Sequence, residues 1–402
     1  MSEAPQVGDL LGPVRIGPVA HGGHWVARVH GRVFFVRHAL SGELVTMRVT
    51  GLARRHGYAD VEDILEPAAE RRSPSCPIAQ QCGGCDFQHV TPDHQRELKR
   101  RVVAEQLSRL AELTWEGEVE AVGEQPIRWR TRMRYRRAAH GWGLRAARSH
   151  EVVPLPDAGC ELAVPALACP PAPEADTQVI VGTAAADGPQ WTAPGADVIV
   201  REQAHGRSWR VSTDGFWQVH PQAAQVLTAA VLAGLEVRPG DRALDLYCGV
   251  GLFAGALVDA GAVVTGVESD PTAVRLARLN VPEARFLTGS VDRMIARLPA
   301  SCELIVLDPP RRGAGATVMA ELLRRQPRAV AYVACDPAAL ARDIGFAQGL
   351  GYVPAWIRAF DLFGSTHHVE CVAVLVPDRS AGHPRGNIST SRYIGPTEES
   401  PA

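Results

Sequence analysis

Lysine is almost missing from this chain: Lys99 is the only one, and every other residue among the 42 Lys+Arg is arginine. Contacts to phosphate therefore have to come from guanidinium forks and not from ammonium points. Long apolar runs are missing too. None approaches the ~20 residues that cross a bilayer, and the start MSEAPQVGDLLG has neither a basic n-region nor an apolar h-region. The expectation is a cytoplasmic protein without membrane contact. Strong net charge is also absent, at −2, and with 46% hydrophobic residues, 21% charged, 38 Gly and 30 Pro the composition excludes disordered and collagen-like chains. It leaves room for two or three domains.

The charge that is present is uneven. Residues 1–150 hold 22 Lys+Arg against 17 Asp+Glu, and the remainder holds 20 against 27. In a reducing cytosol the nine cysteines are poor candidates for structural disulfides, so clustered ones read as metal ligands or nucleophiles.

Residues 8–66 alternate like short strands: Trp25, Ala27 and Val29, the run Val33–Val36, then Val45, Met47 and Val49. A small β-barrel fits this pattern, and GRVFFVRHALSGELV resembles the TRAM domain, an OB-like RNA-binding barrel; a plain scaffold is the alternative. A helix is expected from Thr91 as N-cap with Pro92 in its first turn, burying Leu98, Val102, Val103, Leu107 and Leu110. In IRWRTRMRYRR, residues 127–137, Arg128, Arg130, Arg132, Arg134 and Arg136 recur at period two. On one strand they would share a face, opposite Trp129, Thr131, Met133 and Tyr135. Residues 128–148 carry eight Arg and no acid, a field suited to a polyanion. The alternative is pairing with acids such as Glu116, Glu118 and Glu120. Residues 163–205, rich in Ala and Pro, read as an irregular linker.

From about residue 206 strands and helices alternate: strands at Ala243–Leu246, Val263–Val267, Leu304–Leu307 and Ala329–Val333, and helices from Leu252 and over Thr272–Leu279. That order argues for a parallel, doubly wound α/β sheet. The polar tail after Pro377 reads as disordered.

Three groups of residues carry chemistry. CPIAQQCGGC places Cys76, Cys82 and Cys85 at C-x5-C-x2-C spacing. Three thiolates need a fourth ligand, Cys160 or Cys169, and either zinc or a cubane iron–sulfur cluster would accept it. Next, Asp245, Tyr247, Cys248, Gly249 and Gly251 lie between a strand and a helix, where glycines allow close approach of a ligand to the backbone. Glu268 ends the following strand, where a carboxylate can bind ribose hydroxyls. S-adenosylmethionine and NAD fit this pattern equally. Finally, Asp308 in LDPPRRG, Cys335 in ACDP and Glu370 in THHVE all fall at strand ends, and a thiol with a carboxylate makes a nucleophile and base pair. Each alone could be a packing residue.

Taken in order, CPIAQQCGGCDFQH, DGFWQVHP, DLYCGVGLF, LDPPRRG, ACDPAALARD and THHVE, behind a TRAM-like barrel, resemble the RNA uracil-5 methyltransferase family over residues 8–376. The resemblance implies an α/β protein in four parts. These are a TRAM-like barrel (1–68), a small central α+β region with the cysteines and the Arg strand (69–205), a doubly wound Rossmann-like methyltransferase domain (206–378) and a tail (379–402). It implies Cys335 as nucleophile, Glu370 as base, and Gln218, Tyr247, Gly249, Gly251, Glu268 and Asp308 as contacts to S-adenosyl-L-methionine. It also implies Cys76, Cys82, Cys85 and Cys160 as ligands of a [4Fe-4S] cluster. The chain departs from the family pattern at Leu252, which has no side chain to hydrogen-bond the cofactor, and Ser290 is a further candidate contact. The expected partner is RNA, ribosomal RNA before tRNA, acting on a monomeric enzyme with no obligate protein partner. Trp129, Tyr135 and Phe87 are candidate platforms for a flipped base, with core packing as their alternative. The competing readings are an iron–sulfur oxidoreductase using a nicotinamide cofactor and an RNA-binding protein whose catalytic site has lapsed.

Overall fold

The computed structural model describes residues 5–379, and the expected tail from residue 380 onward lies outside them. The chain divides into two compact units: residues up to Val102 with Ala121–Gln225 and Asp361–Val369, and Val103–Glu120 with Val226–Phe360 and the chain from Glu370 onward.

In the first unit, strands Leu10–Arg15, Val19–Ala20, His24–Val29, Arg32–Arg37, Leu44–Leu52 and His56–Glu66 make one six-stranded sheet. Period-two alternation sends Trp25, Phe34, Val36, Val45, Met47 and Val49 into its core. Register shifts in the pairing of Leu44–Leu52 with His56–Glu66 bend the sheet. Helix Pro92–Ala111 follows, with Leu98, Val102, Val103 and Leu107 buried as expected, whereas Leu110 is exposed. Leu110 lies in the last turn, where Ala111 and not Leu110 continues the buried stripe.

A second sheet in this unit has the order Val152–Pro154, Trp142–Arg145, Arg132–Arg137, Val179–Ala185, Gly188–Thr192, all antiparallel. The stretch expected to be an irregular linker therefore supplies two of its strands. A further strand, Ile199–Ala204, pairs with Arg207–Ser212 in a hairpin, and the boundary expected at residue 206 falls in its turn. The Ala- and Pro-rich composition hid runs such as Val179-Ile-Val, whose partner strand is more than forty positions away along the chain.

The Arg strand is shorter than expected. It covers Arg132–Arg137, and Arg128 stands outside it with φ 59°. Arg132 is largely buried, donates to the carbonyls of Ser212 and Gly215 at 3.1 and 3.0 Å, and lies 3.6 Å from Glu202. Arg134 pairs with Asp214 at 2.7 Å. Pairing with acids thus accounts for two of the five guanidiniums, but the partners are not those suggested by the sequence: Glu120 pairs with Arg358. Trp129, Tyr135 and Phe87 are all buried, so core packing is their role.

The second unit holds most of an eight-stranded sheet in the order Arg285–Thr288, Val263–Glu268, Arg242–Leu246, Leu304–Leu307, Ala329–Ala334, Glu370–Pro377, Tyr352–Asp361, Val119–Ala121. The first five strands are parallel, and Glu370–Pro377 runs antiparallel to both of its neighbours. Strand order reverses between Arg242–Leu246 and Leu304–Leu307. Ligands of open α/β sheets bind outside the carboxyl ends of strands at such a switch point.

Candidate active site and cysteine centre

The loop after Arg242–Leu246 begins the site. Tyr247, Gly249 and Gly251 have φ of 64°, 53° and 96°, left-handed values that turn the chain abruptly into helix Leu252–Asp259. Glu268, at the end of the next strand, reaches back across the turn. One carboxylate oxygen accepts from Gly249 N–H at 3.1 Å, and the other accepts from Asp270 N–H at 2.8 Å. A β-carbon at Gly266, two residues before it, would lie 2.6 Å from the Phe286 ring, so only glycine lets these strands close at that level. Leu252 is buried, and Ser290 caps a short helix, Val291–Met294. Gln218 is buried in the first unit.

Asp308 follows Leu304–Leu307, which pairs with Ala329–Ala334 at Leu307↔Tyr332. Antiparallel pairing of Ala334 with Cys371 then sets Cys335 opposite Glu370, where one strand ends and the next begins. The Cys335 thiol and the Glu370 carboxyl are thus brought together by sheet register, although 35 positions of sequence separate them.

Carboxylates at this sheet edge are numerous and poorly compensated. Burial pushes Asp245 up to about 8, against one hydrogen bond from Ala254 N–H, with Asp308 and Glu268 adding to the push. Asp245 is left with one buried oxygen that has no partner. Burial alone raises Asp308 to about 7. Glu370 is raised well above the usual range by burial and then by Asp308. Burial, Glu370 and Asp308 together raise the Cys335 thiol to about 11, with Arg311 opposing. Removing solvent disfavours each anion, and each anion disfavours the next. An edge built in this way is complementary to a small cation.

In the first unit, Cys76, Cys82, Cys85 and Cys160 form the second centre. Cys160 acts electrostatically on each of the other three, and all four thiols are raised, burial being the largest cause. An N–H points at every sulfur: Gly84 N–H at Cys82 and the Gln88 amide at Cys85, each at 3.3 Å, backbone N–H of Ile78 at Cys76, and of Ala163 and Leu162 at Cys160. Such donors stabilise thiolates and cluster ligands. Cys169 is exposed and donates to the Asp157 carbonyl. Among the described residues, no three His, Cys, Asp or Glu side chains are gathered tightly enough to hold a single metal ion.

One feature went unread in the sequence. The chain's sole lysine is fully buried in helix Pro92–Ala111, 2.6 Å from Asp361, and it donates to the Phe363 carbonyl at 3.0 Å. Gln95 accepts from Ser365 N–H, Trp129 donates to the Gly364 carbonyl, and Asp86 pairs with His367 at 2.6 Å. Burial favours protonated Asp86, but the His367 contact outweighs it and leaves the carboxyl low. A charge inside an otherwise apolar helical stripe was the available signal.

The TRAM domain profile matches residues 13–61. An uncharacterized RNA methyltransferase of Streptomyces avermitilis is 45% identical, over 90% of this chain and 98% of the relative. Another, from Corynebacterium glutamicum, is 31% identical over 92% of this chain and 97% of the relative. The chain belongs to the RNA methyltransferase family. This membership sets the oxidoreductase reading aside. Among solved structures, the Pyrococcus abyssi tRNA (uracil-54, C5)-methyltransferase in complex with S-adenosyl-L-homocysteine shares the fold, with a TM-score of 0.69 at 22% identity, covering 90% of this chain and 99% of that one. No helix among the described residues is long and apolar enough to cross a membrane.

Proposed function

We propose that this RNA methyltransferase methylates carbon 5 of a uridine in RNA, using S-adenosyl-L-methionine, with Cys335 as nucleophile and Glu370 as base. The observation that carries the reading is the register that sets the Cys335 thiol opposite the Glu370 carboxyl, beside Asp308. Carbon 5 of uracil is a poor nucleophile. Addition of the Cys335 thiolate to carbon 6 turns carbon 5 into an enolate carbon, which can take the methyl group that the cofactor supplies. Glu370 then removes the proton from carbon 5, the carbon 5–carbon 6 double bond re-forms, and Cys335 leaves as thiolate. A carboxyl raised as far as Glu370 is a strong base once ionised.

The uncompensated carboxylates Asp245 and Asp308 suit a sulfonium cation, and the glycine turn with Glu268 suits an adenosine. Tyr247, Gly249, Gly251, Glu268, Asp308 and Gln218 are the residues we assign to the cofactor. A pyrimidine attacked at carbons 5 and 6 must leave its stack, so an unpaired uridine is the favoured target.

Four thiols, Cys82 buried and the other three half-buried, each with its own N–H donor, fit a [4Fe-4S] cluster held by Cys76, Cys82, Cys85 and Cys160. Cys160 influences each of the other three thiols electrostatically, and a cubane accepts four thiolate ligands. We assign the cluster a structural role in presenting RNA. Ribosomal RNA is the proposed substrate. A tRNA uridine is the second reading, favoured by the substrate of the Pyrococcus abyssi enzyme.

The test is 5-methyluridine mapping by mass spectrometry in ribosomal RNA and tRNA from cells lacking the gene, restored with wild type, Cys335→Ala or Glu370→Gln. Loss of one site, rescued by wild type alone, confirms reaction, substrate and nucleophile. With labelled cofactor in vitro, Glu370→Gln should accumulate a denaturation-resistant protein–RNA adduct, and Cys335→Ala none. Unchanged methylation in the deletion strain would overturn the reading.

A further inference from the structure

We propose that the outward face of the N-terminal sheet, centred on Phe35 and Tyr58, is a stacking site for bases of single-stranded RNA, with Arg148 brought in from outside the sheet as its cation. The proposal deepens the RNA methyltransferase reading by naming where RNA is held away from the reacting uridine.

Strand alternation makes this face unusual. Trp25, Ala27, Phe34, Val36 and Ala59 fill the core, so their neighbours must point away from it. An outward row on a small solvated sheet ordinarily carries polar residues. Here the register aligns Val26, Phe35 and Tyr58 across three adjacent strands. The row beside it is Arg28, Val33 and His56. The Phe35 ring lies 5.3 Å from His56 and 6.0 Å from Tyr58, and His56 lies 5.1 Å from Tyr58. All three rings are only half-buried. They are not needed to close the core, and they remain open to a further flat ring.

The cation comes from a different part of the unit. The guanidinium of Arg148 sits 3.8 Å from the centroid of the Tyr58 ring. Arg148 itself is exposed and has φ 53°, and no described group hydrogen-bonds its guanidinium. Its place is set by the cysteine loop: Ala147 N–H donates to the Gln81 carbonyl at 3.1 Å and Gly83 N–H to the Arg145 carbonyl at 2.9 Å. A β-carbon at Gly83 would lie 3.1–3.2 Å from the Ala147 and Arg145 backbone, so glycine permits this close approach. A guanidinium over a tyrosine ring can stack on a base and offer its N–H edges to phosphate.

Charge is consistent with this occupant. Asp60, two residues along the strand from Tyr58, lies 3.7 Å from Arg37 and also feels Arg148, and Glu62 further along the same strand is taken by Arg48. Arg28, Arg54, Arg55 and Arg145 are exposed. Stacking on rings is tolerant of sequence, so this site strengthens binding without choosing the uridine.

The experiment uses the full chain, isolated without air so that any iron–sulfur cluster is kept, and follows the anisotropy of fluorescein-labelled oligouridine at low and at raised salt, without cofactor. Phe35→Ala and Arg148→Ala should each weaken binding at least about fivefold, and Arg148→Ala should also flatten the salt dependence by about one counterion. Tyr58→Phe keeps a ring and should bind like wild type. Phe35→Leu keeps the bulk without the ring, and should also weaken binding if Phe35→Ala fails to fold. Wild-type affinity in both Arg148→Ala and the folded Phe35 variant overturns the proposal. Methyl transfer on the same RNA separates the two ideas. Active wild type with unaffected variants sinks only the stacking site, whereas binding through Phe35 and Arg148 without transfer to uridine sinks only the uridine reading.

Discussion

Cys335 combines a proposed nucleophilic role with surroundings that disfavour its thiolate. Burial, Glu370 and Asp308 hold its thiol up at about 11, so at neutral pH the free protein keeps it protonated. Alkylation of Cys335 by iodoacetamide, followed by peptide mass spectrometry, should therefore rise about tenfold per pH unit from pH 7 to 10. A plateau near pH 9 would show a thiol of ordinary acidity. Lys99 carries a different lesson. Burial lowers its pKa and Asp361 opposes that shift. Lys99→Met should cost about 3–5 kcal/mol in denaturant unfolding, because Asp361 is left buried and unpaired. Adding Asp361→Asn should recover part of that loss, and a loss that simply adds would show that the two are not coupled.

At the scale of elements, the sheet and cysteine loop of the first unit hold several histidines in their neutral form. Burial lowers His24 and His89 to about 4 and His38 to about 3. In the unfolded chain each would titrate near 6.5. A base whose folded pKa is depressed binds its proton more readily when unfolded. Stability is therefore full above pH 6.5 and falls as pH drops towards 4, by up to about 3 kcal/mol for each histidine. Thermal unfolding followed by circular dichroism should show the midpoint falling steeply over that window, and a flat profile would rule the effect out. Glu202 works in the opposite direction. It is raised to about 7 by burial despite Arg132, so its hairpin loses stability as pH rises from 4.5 to 7, and Glu202→Gln should flatten that part of the profile.

Over the whole molecule, the two centres belong to different units: the cysteines to the first, and the thiol–carboxyl edge to the second. Oxidative removal of the proposed cluster should lower RNA affinity and the unfolding midpoint of the first unit, while S-adenosyl-L-homocysteine binding by calorimetry stays within about twofold. Retained RNA affinity after iron removal would refute the structural role. Motif order along the chain made the α/β class, the parallel strands and the identity of the strand-end residues legible, because strand-to-helix turns and their glycines are local in sequence. Period two revealed the N-terminal sheet for the same reason. The strands within 163–205 were hidden because their composition is that of a linker, although two of their pairings are local hairpins and only the one with Arg132–Arg137 is remote. Whether the arginines of IRWRTRMRYRR face RNA or acids was equally hidden, because Glu202 and Asp214 reach them only through the fold. The sequence by itself determined which groups exist and which lie at the ends of elements. Only the tertiary structure decided that Cys335 faces Glu370 and that Arg148 lies over Tyr58, because each of these contacts joins segments that no local propensity connects.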